Sequence, residues 1–228
     1  CVNVMAPPGS TGNATFFDYK VDQRQLFSLT CDAKLPDATW PELFDGDGHF
    51  ALATAVSVAK RKVSVRVDVV ETSPPAVMEL HLAFAIPKGK RLDWLLEKAT
   101  ELGAASLTPL LCKRSVSGGE TLPANKRERW VAHCVSAAKQ CGLNRLPDIR
   151  QQISLGDLAA NPPGAMLFGD LAGDTIPLAA AVANAGRAIT ILVGPEGGFT
   201  DDECATLRTA GATPVRLGQT VLRIETAA

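Results

Sequence analysis

None of the six cysteines in this 228-residue chain forms a C-x-x-C pair, and their spacings do not read as a disulfide framework. Cys134 and Cys141 stand seven residues apart, about 10 Å along a helix, which is too far to bridge. The cysteines are therefore expected to be reduced core thiols of a cytoplasmic protein. The histidines, His49, His81 and His133, are scattered, so no metal site is expected. Long apolar runs are missing too: the stretch from Ile176 to Gly194 is interrupted by Asn184 and Arg187, and no membrane span is expected. The opening CVNVMAPPGS has neither the charged start nor the apolar core of a secretion signal. A start at Cys1 in place of Met leads to the expectation that the native N-terminus is missing.

Net charge is only −1, which by itself argues against a nucleic-acid partner. Its distribution argues the other way. Residues 60–66 carry four basic side chains and no acidic one, and residues 88–150 carry twelve basic against six acidic. Two basic segments in a near-neutral chain can form one positive face toward a phosphate backbone; solvated helix faces would give the same count.

The hydrophobic content of 46% predicts a globular chain with a substantial core. Its pattern divides at SPPA, residues 73–76. Before it, HFALATAVSVAKRKVSVRVDVVE alternates and predicts a hairpin turning near Lys60–Lys62, with FDGDG at 44–48 as a tight turn. After it, MELHLAFAI, SLTPLL, AMLFGD, AITILVG and TPVRLG read as strands buried on both faces. Between them lie a helix with Leu92, Leu95, Leu96, Ala99 and Leu102 on one face, and another with Trp130, Cys134, Ala137, Ala138 and Cys141. Further helices are expected near 176–185 and 201–210. Alternating strands and helices predict an α/β domain with a mainly parallel sheet.

Such sheets place ligands at the carboxyl ends of their strands, where FGDLAG (168–173), GPEGGF (194–199) and LGQTVLR (217–223) are expected to meet. Thr200 and Glu203 have capping-box spacing, so a helix starts directly after the glycine loop. Glu196, Asp201 and Asp202 crowd that helix end, and no Gly-Lys-Ser/Thr is present, which disfavours a polyphosphate. A neutral or cationic ligand fits better, and S-adenosylmethionine, a sulfonium without phosphate, meets that description. The alternative is that the glycines simply make a tight turn.

LVGPEGGF (192–199) followed by LGQTVLRIETA (217–227) resembles the SPOUT-class methyltransferases. More narrowly, these blocks are similar to the family that methylates N3 of a uridine in bacterial 16S ribosomal RNA of the small subunit. PKGKRLDWLLEKATELGA (87–104), PLLCKRSV (109–116) and RWVAHCVSAAKQCG (129–142) support the resemblance in family order. It implies a SPOUT-type trefoil-knotted, mainly parallel α/β domain over 77–228 and a small PUA-like β-barrel over 1–73 that helps grip RNA. It also implies a homodimer acting on the small ribosomal subunit. The methyl-donor positions it implies are Leu192, Gly194, Glu196, Gly197, Leu217, Gly218 and Leu222, with Phe168 and Gly169 lining the adenosine. The chain departs from the family in three ways. Leu143 stands where an arginine is usual, with Arg145 two places on; the N-terminal part matches only loosely outside LFDGDG; and the chain stops at Ala228 where the family continues into a helix. Segments at the ends or within loops are therefore expected to be missing.

Methylation at N3 needs the proton removed or the resulting charge stabilised. Arg223 and Glu196 are the catalytic candidates. Arg223 would stabilise charge or clamp phosphate, its alternative being a salt bridge to Glu225 or Glu196. Glu196 would act in acid–base chemistry or accept from loop amides. Lys98, Glu97 and Glu101 read as a structural ion network. Lys88, Lys90, Arg91, Lys113, Arg114, Arg127 and Arg145 are the RNA-backbone candidates. N3 lies on the Watson–Crick edge, so the target base is single-stranded or flipped out, and Phe199 could offer it a ring or serve in the core. Two other functions remain open: a related enzyme acting on another RNA such as transfer RNA, and a non-catalytic RNA-binding or assembly factor. Donor binding separates the last from the enzymes.

Overall fold

The computed structural model describes residues 3–5, 26–29, 42–59, 62–115, 123–171 and 174–228. Lys60 and Arg61 of the expected turn, Cys1, Cys31, and residues 172–173 of FGDLAG lie outside the described residues. Two compact units are formed, Cys1–Pro75 with Val135–Leu146, and Ala76–Cys134 with Pro147–Ala228.

In the first unit, β1 (Asn3–Met5), β2 (Leu26–Leu29), β3 (Glu42–Phe44), β4 (His49–Ala59) and β5 (Lys62–Thr72) form an antiparallel sheet in the order β1-β3-β4-β5-β2. The alternating valine-rich run pairs as β4 and β5, with register shifts at Leu52/Ala53 and Ala55/Ser57. FDGDG makes the turn between β3 and β4 because Gly46 and Gly48 adopt φ of 90° and 100°, where a side chain would be strained. The Asp45 carboxylate caps that turn by accepting from the amides of Asp47 and His49. A small antiparallel N-terminal sheet agrees with the PUA-like expectation.

The second unit is built on an eight-stranded sheet. Its strands are β6 (Glu79–Ala85), β7 (Ser106–Leu111), β8 (Asp148–Ile149), β9 (Ile153–Ser154), β10 (Ala165–Gly169), β11 (Ile176–Pro177), β12 (Ala188–Val193) and β13 (Thr213–Arg216). The order is β11-β13-β10-β12-β6-β7-β8, with β9 also on β7, and the pairings are parallel. Both faces are covered, as the continuous apolar runs require: Met166 and Phe168 of β10 join a cluster with Leu192, Phe199 and Leu207, while the intervening Leu167 packs with Ile189, Val215 and Ala181. The α/β class and parallel sheet expected from the sequence are thus observed.

The helices are α1 (Arg91–Glu101), α2 (Ala124–Cys141), α3 (Leu155–Ala160), α4 (Leu178–Val182), α5 (Asp201–Thr209) and α6 (Ile224–Ala227). Three details differ from the sequence pattern. Leu102 is 79% exposed, because α1 has already ended and the chain turns away at Gly103, with φ 77°. Cys141 is exposed at the last residue of α2. The helix expected over 176–185 is shortened to α4, since Ile176 and Pro177 are drawn into β11 beside β13. The two-residue strands, α3 and α6 were not anticipated; elements that short are set by their neighbours. Among the described residues, no helix is long and apolar enough to cross a membrane.

Candidate functional site

Because β13, β10 and β12 are adjacent and parallel, the segments after Gly169, Val193 and Arg216 leave the sheet from the same carboxyl end. Glycine lets them close on one another. A Cβ on Gly169 would lie 3.2 Å from Leu217 Cδ1, and one on Gly194 would lie 3.2 Å from the Phe199 ring. Gly218 is looser, with Leu222 Cδ1 at 3.6 Å. Gly198 donates to Pro195 O at 2.8 Å with φ of 69°, closing the glycine turn. Beneath it, the Phe168 and Phe199 rings meet edge-on at 6.2 Å, and the Arg208 guanidinium lies 5.6 Å from the Phe168 centroid. Phe199 is buried, so it serves the core and is not free to hold a base. Leu192 and Phe168 are fully buried as well, so only their backbone can face a ligand.

The capping box expected from Thr200 and Glu203 forms, and it reaches further than its four residues. Glu203 Oε2 accepts from Thr200 N at 2.7 Å, while Oε1 accepts from Lys113 N, also at 2.7 Å. The buried carboxylate thereby ties the segment after β7 to the start of α5. Next to it, Arg114 Nη1 donates to Gly197 O at 2.6 Å and to Phe199 O at 3.3 Å, and its Cδ lies 3.2 Å from where a Cβ on Gly197 would be. The Arg114 guanidinium therefore braces the glycine loop. The Lys113 ammonium pairs with Asp202 at 2.7 Å, which raises the lysine pKa and lowers that of the carboxyl through the shared hydrogen bond. Burial, with the Glu203 carboxylate adding to it, pushes the Cys112 thiol up to about 12.

Arg91, at the start of α1, stands between two carboxylates: Nη1 is 3.8 Å from Glu196 and Nε is 3.5 Å from Glu225. The salt bridges entertained for Arg223 are thus made by Arg91. Arg223, exposed ahead of α6, has no side-chain partner among the described residues. It lines an open pocket of ≈ 550 Å³ with Lys90, Arg91, Trp94, Glu225 and Thr226. Trp94 was not singled out from the sequence, and Glu225 entered only as a salt-bridge partner considered for Arg223. The signal for Trp94 was there, since it lies off the buried face marked by Leu92, Leu95, Leu96 and Ala99; nothing local marks Glu225 as part of a pocket.

The other cationic candidates are dispersed. Lys88 and Lys90 are exposed and pair with no described residue. Arg127 Nε donates to Ile149 O at 3.0 Å. Arg145, in the first unit, donates to Asp47 O at 2.8 Å and to Ser73 O at 3.0 Å. Lys98 forms the expected ion network, 2.9 Å from both Glu97 and Glu101. Among the described residues, no group of His, Cys, Asp and Glu is arranged to hold a metal ion.

Three glycine-closed loops beside a helix start crowded with Glu196, Asp201, Asp202 and Glu203 repel a polyphosphate and suit a neutral or cationic molecule held by backbone groups. Fold and loops together define a parallel α/β protein whose candidate ligand site lies over the carboxyl ends of adjacent strands. Residues 74–228 match the RNA methyltransferase domain family. The chain belongs to that family. It is 33% identical over 198 residues to the ribosomal RNA small subunit methyltransferase E of Mycobacterium tuberculosis, covering 82% of this chain and 74% of that protein. To the Bacillus subtilis protein of the same name it is 31% identical over 191 residues, covering 79% and 75%. Among solved structures it is similar to the ribosomal RNA small subunit methyltransferase E of Neisseria gonorrhoeae bound to S-adenosyl methionine, with a TM-score of 0.80, 26% identity, and coverage of 92% and 90%. A Legionella pneumophila methyltransferase in complex with the same cofactor gives a TM-score of 0.81 at 29% identity, again covering 92% and 90%.

Proposed function

We propose that this protein transfers a methyl group from S-adenosylmethionine to N3 of a uridine in 16S ribosomal RNA. It acts as a cytoplasmic homodimer on the small ribosomal subunit, with residues 1–73 as an RNA-gripping domain and 77–228 as the knotted catalytic domain. The observation that carries this reading is the meeting of the Gly169, Gly194–Gly198 and Leu217–Leu222 segments at the carboxyl end of the sheet, in a chain whose similar solved structures hold the donor. When bound, the donor supplies an electrophilic methyl group on a sulfonium. Phe168, Gly169, Leu192, Gly194, Gly197, Leu217, Gly218 and Leu222 would hold it. Their part is to bind and orient through backbone amides and carbonyls, since several of the side chains are buried or absent. The Glu196 carboxylate, held by Arg91, adds a negative charge that favours a cation in the loop. Arg223, free of described partners, can face the negative charge that spreads over the uracil oxygens as N3 loses its proton. Lys88 and Lys90 can meet phosphates.

Calorimetric titration with S-adenosylmethionine, using the wild type and Gly197→Arg, tests this reading. Micromolar binding by the wild type is expected, with loss in the variant, whose side chain must displace Arg114 from the loop. In-vitro methylation of small-subunit RNA followed by mass-spectrometric mapping should then place the methyl group on a uridine N3. A folded wild type that binds no donor would refute the enzyme and favour a non-catalytic RNA-binding factor; methylation confined to transfer RNA would refute the substrate.

A further inference from the structure

The pocket lined by Lys90, Arg91, Trp94, Arg223, Glu225 and Thr226 lies beside the donor loops and touches them. Arg91 joins it to Glu196 of the glycine loop, and Arg223 and Glu225 follow directly on the Leu217–Leu222 segment. A large aromatic side chain is left 45% exposed in it at Trp94. A carboxylate beside it is incompletely used: Glu225 is 12% exposed, its Oε1 is 3.5 Å from Arg91, and its Oε2 is buried with no hydrogen-bond partner among the described residues. A buried acceptor without a donor is costly, and the rest of the Glu225 side chain lines a pocket of a size that takes small ligands. Lys90 and Arg223 supply cations with no described partner.

We propose that this pocket receives the target base, with Trp94 as its stacking platform and Glu225 as the acceptor of the N3 proton. The proposal rests on the methyltransferase reading above. Uracil needs a flat apolar surface, an acceptor for N3–H and donors for its two carbonyl oxygens; the pocket offers the indole, the Glu225 carboxylate, and Arg223 with Lys90. In the step, the N3–H proton passes to a Glu225 oxygen. The N3 electron pair forms the new bond to the donor's methyl carbon. The carbon–sulfur bond breaks with its electrons staying on sulfur, leaving a neutral thioether, and Glu225 later returns the proton to water. Glu225 is thus a catalytic residue for this reaction, and Trp94 a specificity residue.

The test uses the full chain with a uridine-containing fragment of small-subunit RNA, and circular dichroism to check that each variant is folded. Glu225→Gln, which keeps the shape, should slow single-turnover methylation by about 100-fold or more while donor and RNA affinities stay within about threefold, a split that a merely structural role would not give. Trp94→Ala should weaken RNA binding by about 5- to 150-fold, the range for one stacked base, and Trp94→Phe should recover most of it. The RNA should quench wild-type tryptophan fluorescence, with the quench lost in Trp94→Phe. A Glu225→Gln rate near that of the wild type, or unchanged RNA affinity in Trp94→Ala, overturns the assignment. So does a drop in sedimenting mass in Trp94→Ala without loss of RNA affinity, since a second copy would then cover the face. Absence of donor binding in the wild type refutes the methyltransferase reading instead, and a Trp94-dependent quench by RNA in that case still places a base in the pocket.

Discussion

Replacing Glu203 probes how the glycine loop is held. Its carboxylate is 7% exposed and accepts from two amides far apart in sequence, Thr200 N and Lys113 N, each at 2.7 Å. Glu203→Ala leaves both donors without an acceptor while keeping the bond from Glu203 N to Thr200 Oγ1, a 3.3 Å contact made by the backbone. Charge-assisted bonds of this kind contribute roughly 1.5 kcal/mol or more each, so the alanine variant should lose about 3 kcal/mol. Glu203→Gln keeps one acceptor oxygen and turns an amide donor toward the other N–H, so about half that loss is expected. With a urea slope of about 2 kcal/mol per molar, the alanine midpoint should fall by about 1.5 M. Trp130, 3% exposed in the same unit, reports the transition by fluorescence, and hydrogen exchange should speed up at Thr200 and Lys113. Donor affinity should fall with stability, because Arg114 follows Lys113 and braces Gly197. A loss below about 1 kcal/mol in Glu203→Ala, or equal losses in Ala and Gln, would refute the reasoning.

Arg145→Ala removes donors to Asp47 O and Ser73 O and should cost the first unit about 1–2 kcal/mol, read as a fall of several degrees in its melting temperature; an unchanged melt with weakened RNA binding would make Arg145 an RNA contact and not a clasp. Burial drives the Cys112 thiol from 9.0 to about 12 and the Cys134 thiol to about 11. Iodoacetamide at pH 8 should therefore label exposed Cys141 and spare both. The folded state holds these protons where the unfolded chain sheds them, so this contribution to stability is complete below pH 9 and is lost as pH rises through 11 to 12. Replacing both cysteines by alanine should flatten that alkaline fall in a urea series run from pH 8 to 11.

Much of the fold was legible because its signals are local. The buried runs MELHLAFAI and AITILVG gave β6 and β12, Thr200 and Glu203 announced the start of α5, and the glycines of FDGDG marked a turn that needs positive φ. Short elements were not legible. β8, β9, β11 and α6 span two to four residues, too few for a period to show, and they exist because a neighbouring strand or helix recruits them. Leu102 and Cys141 kept the helical spacing but fell at helix ends, where the buried face stops.

By itself the sequence determined that a parallel sheet would carry three glycine-bearing segments to the carboxyl ends of its strands, and that carboxylates would surround the start of the helix after GPEGG. Spacing and residue type suffice for that, since both act within a turn or a strand. Tertiary structure alone decided what each charge does. Arg91, Arg114 and Arg145 all read as phosphate contacts; folding sets Arg91 between Glu196 and Glu225, turns Arg114 onto Gly197 O across 83 residues, and binds Arg145 to Asp47 O across 98. It also set Trp94 and Glu225, 131 positions apart in the numbering, around one pocket. A guanidinium looks the same in a sequence whether it faces water or a backbone carbonyl, and only the packed chain supplies the carbonyl.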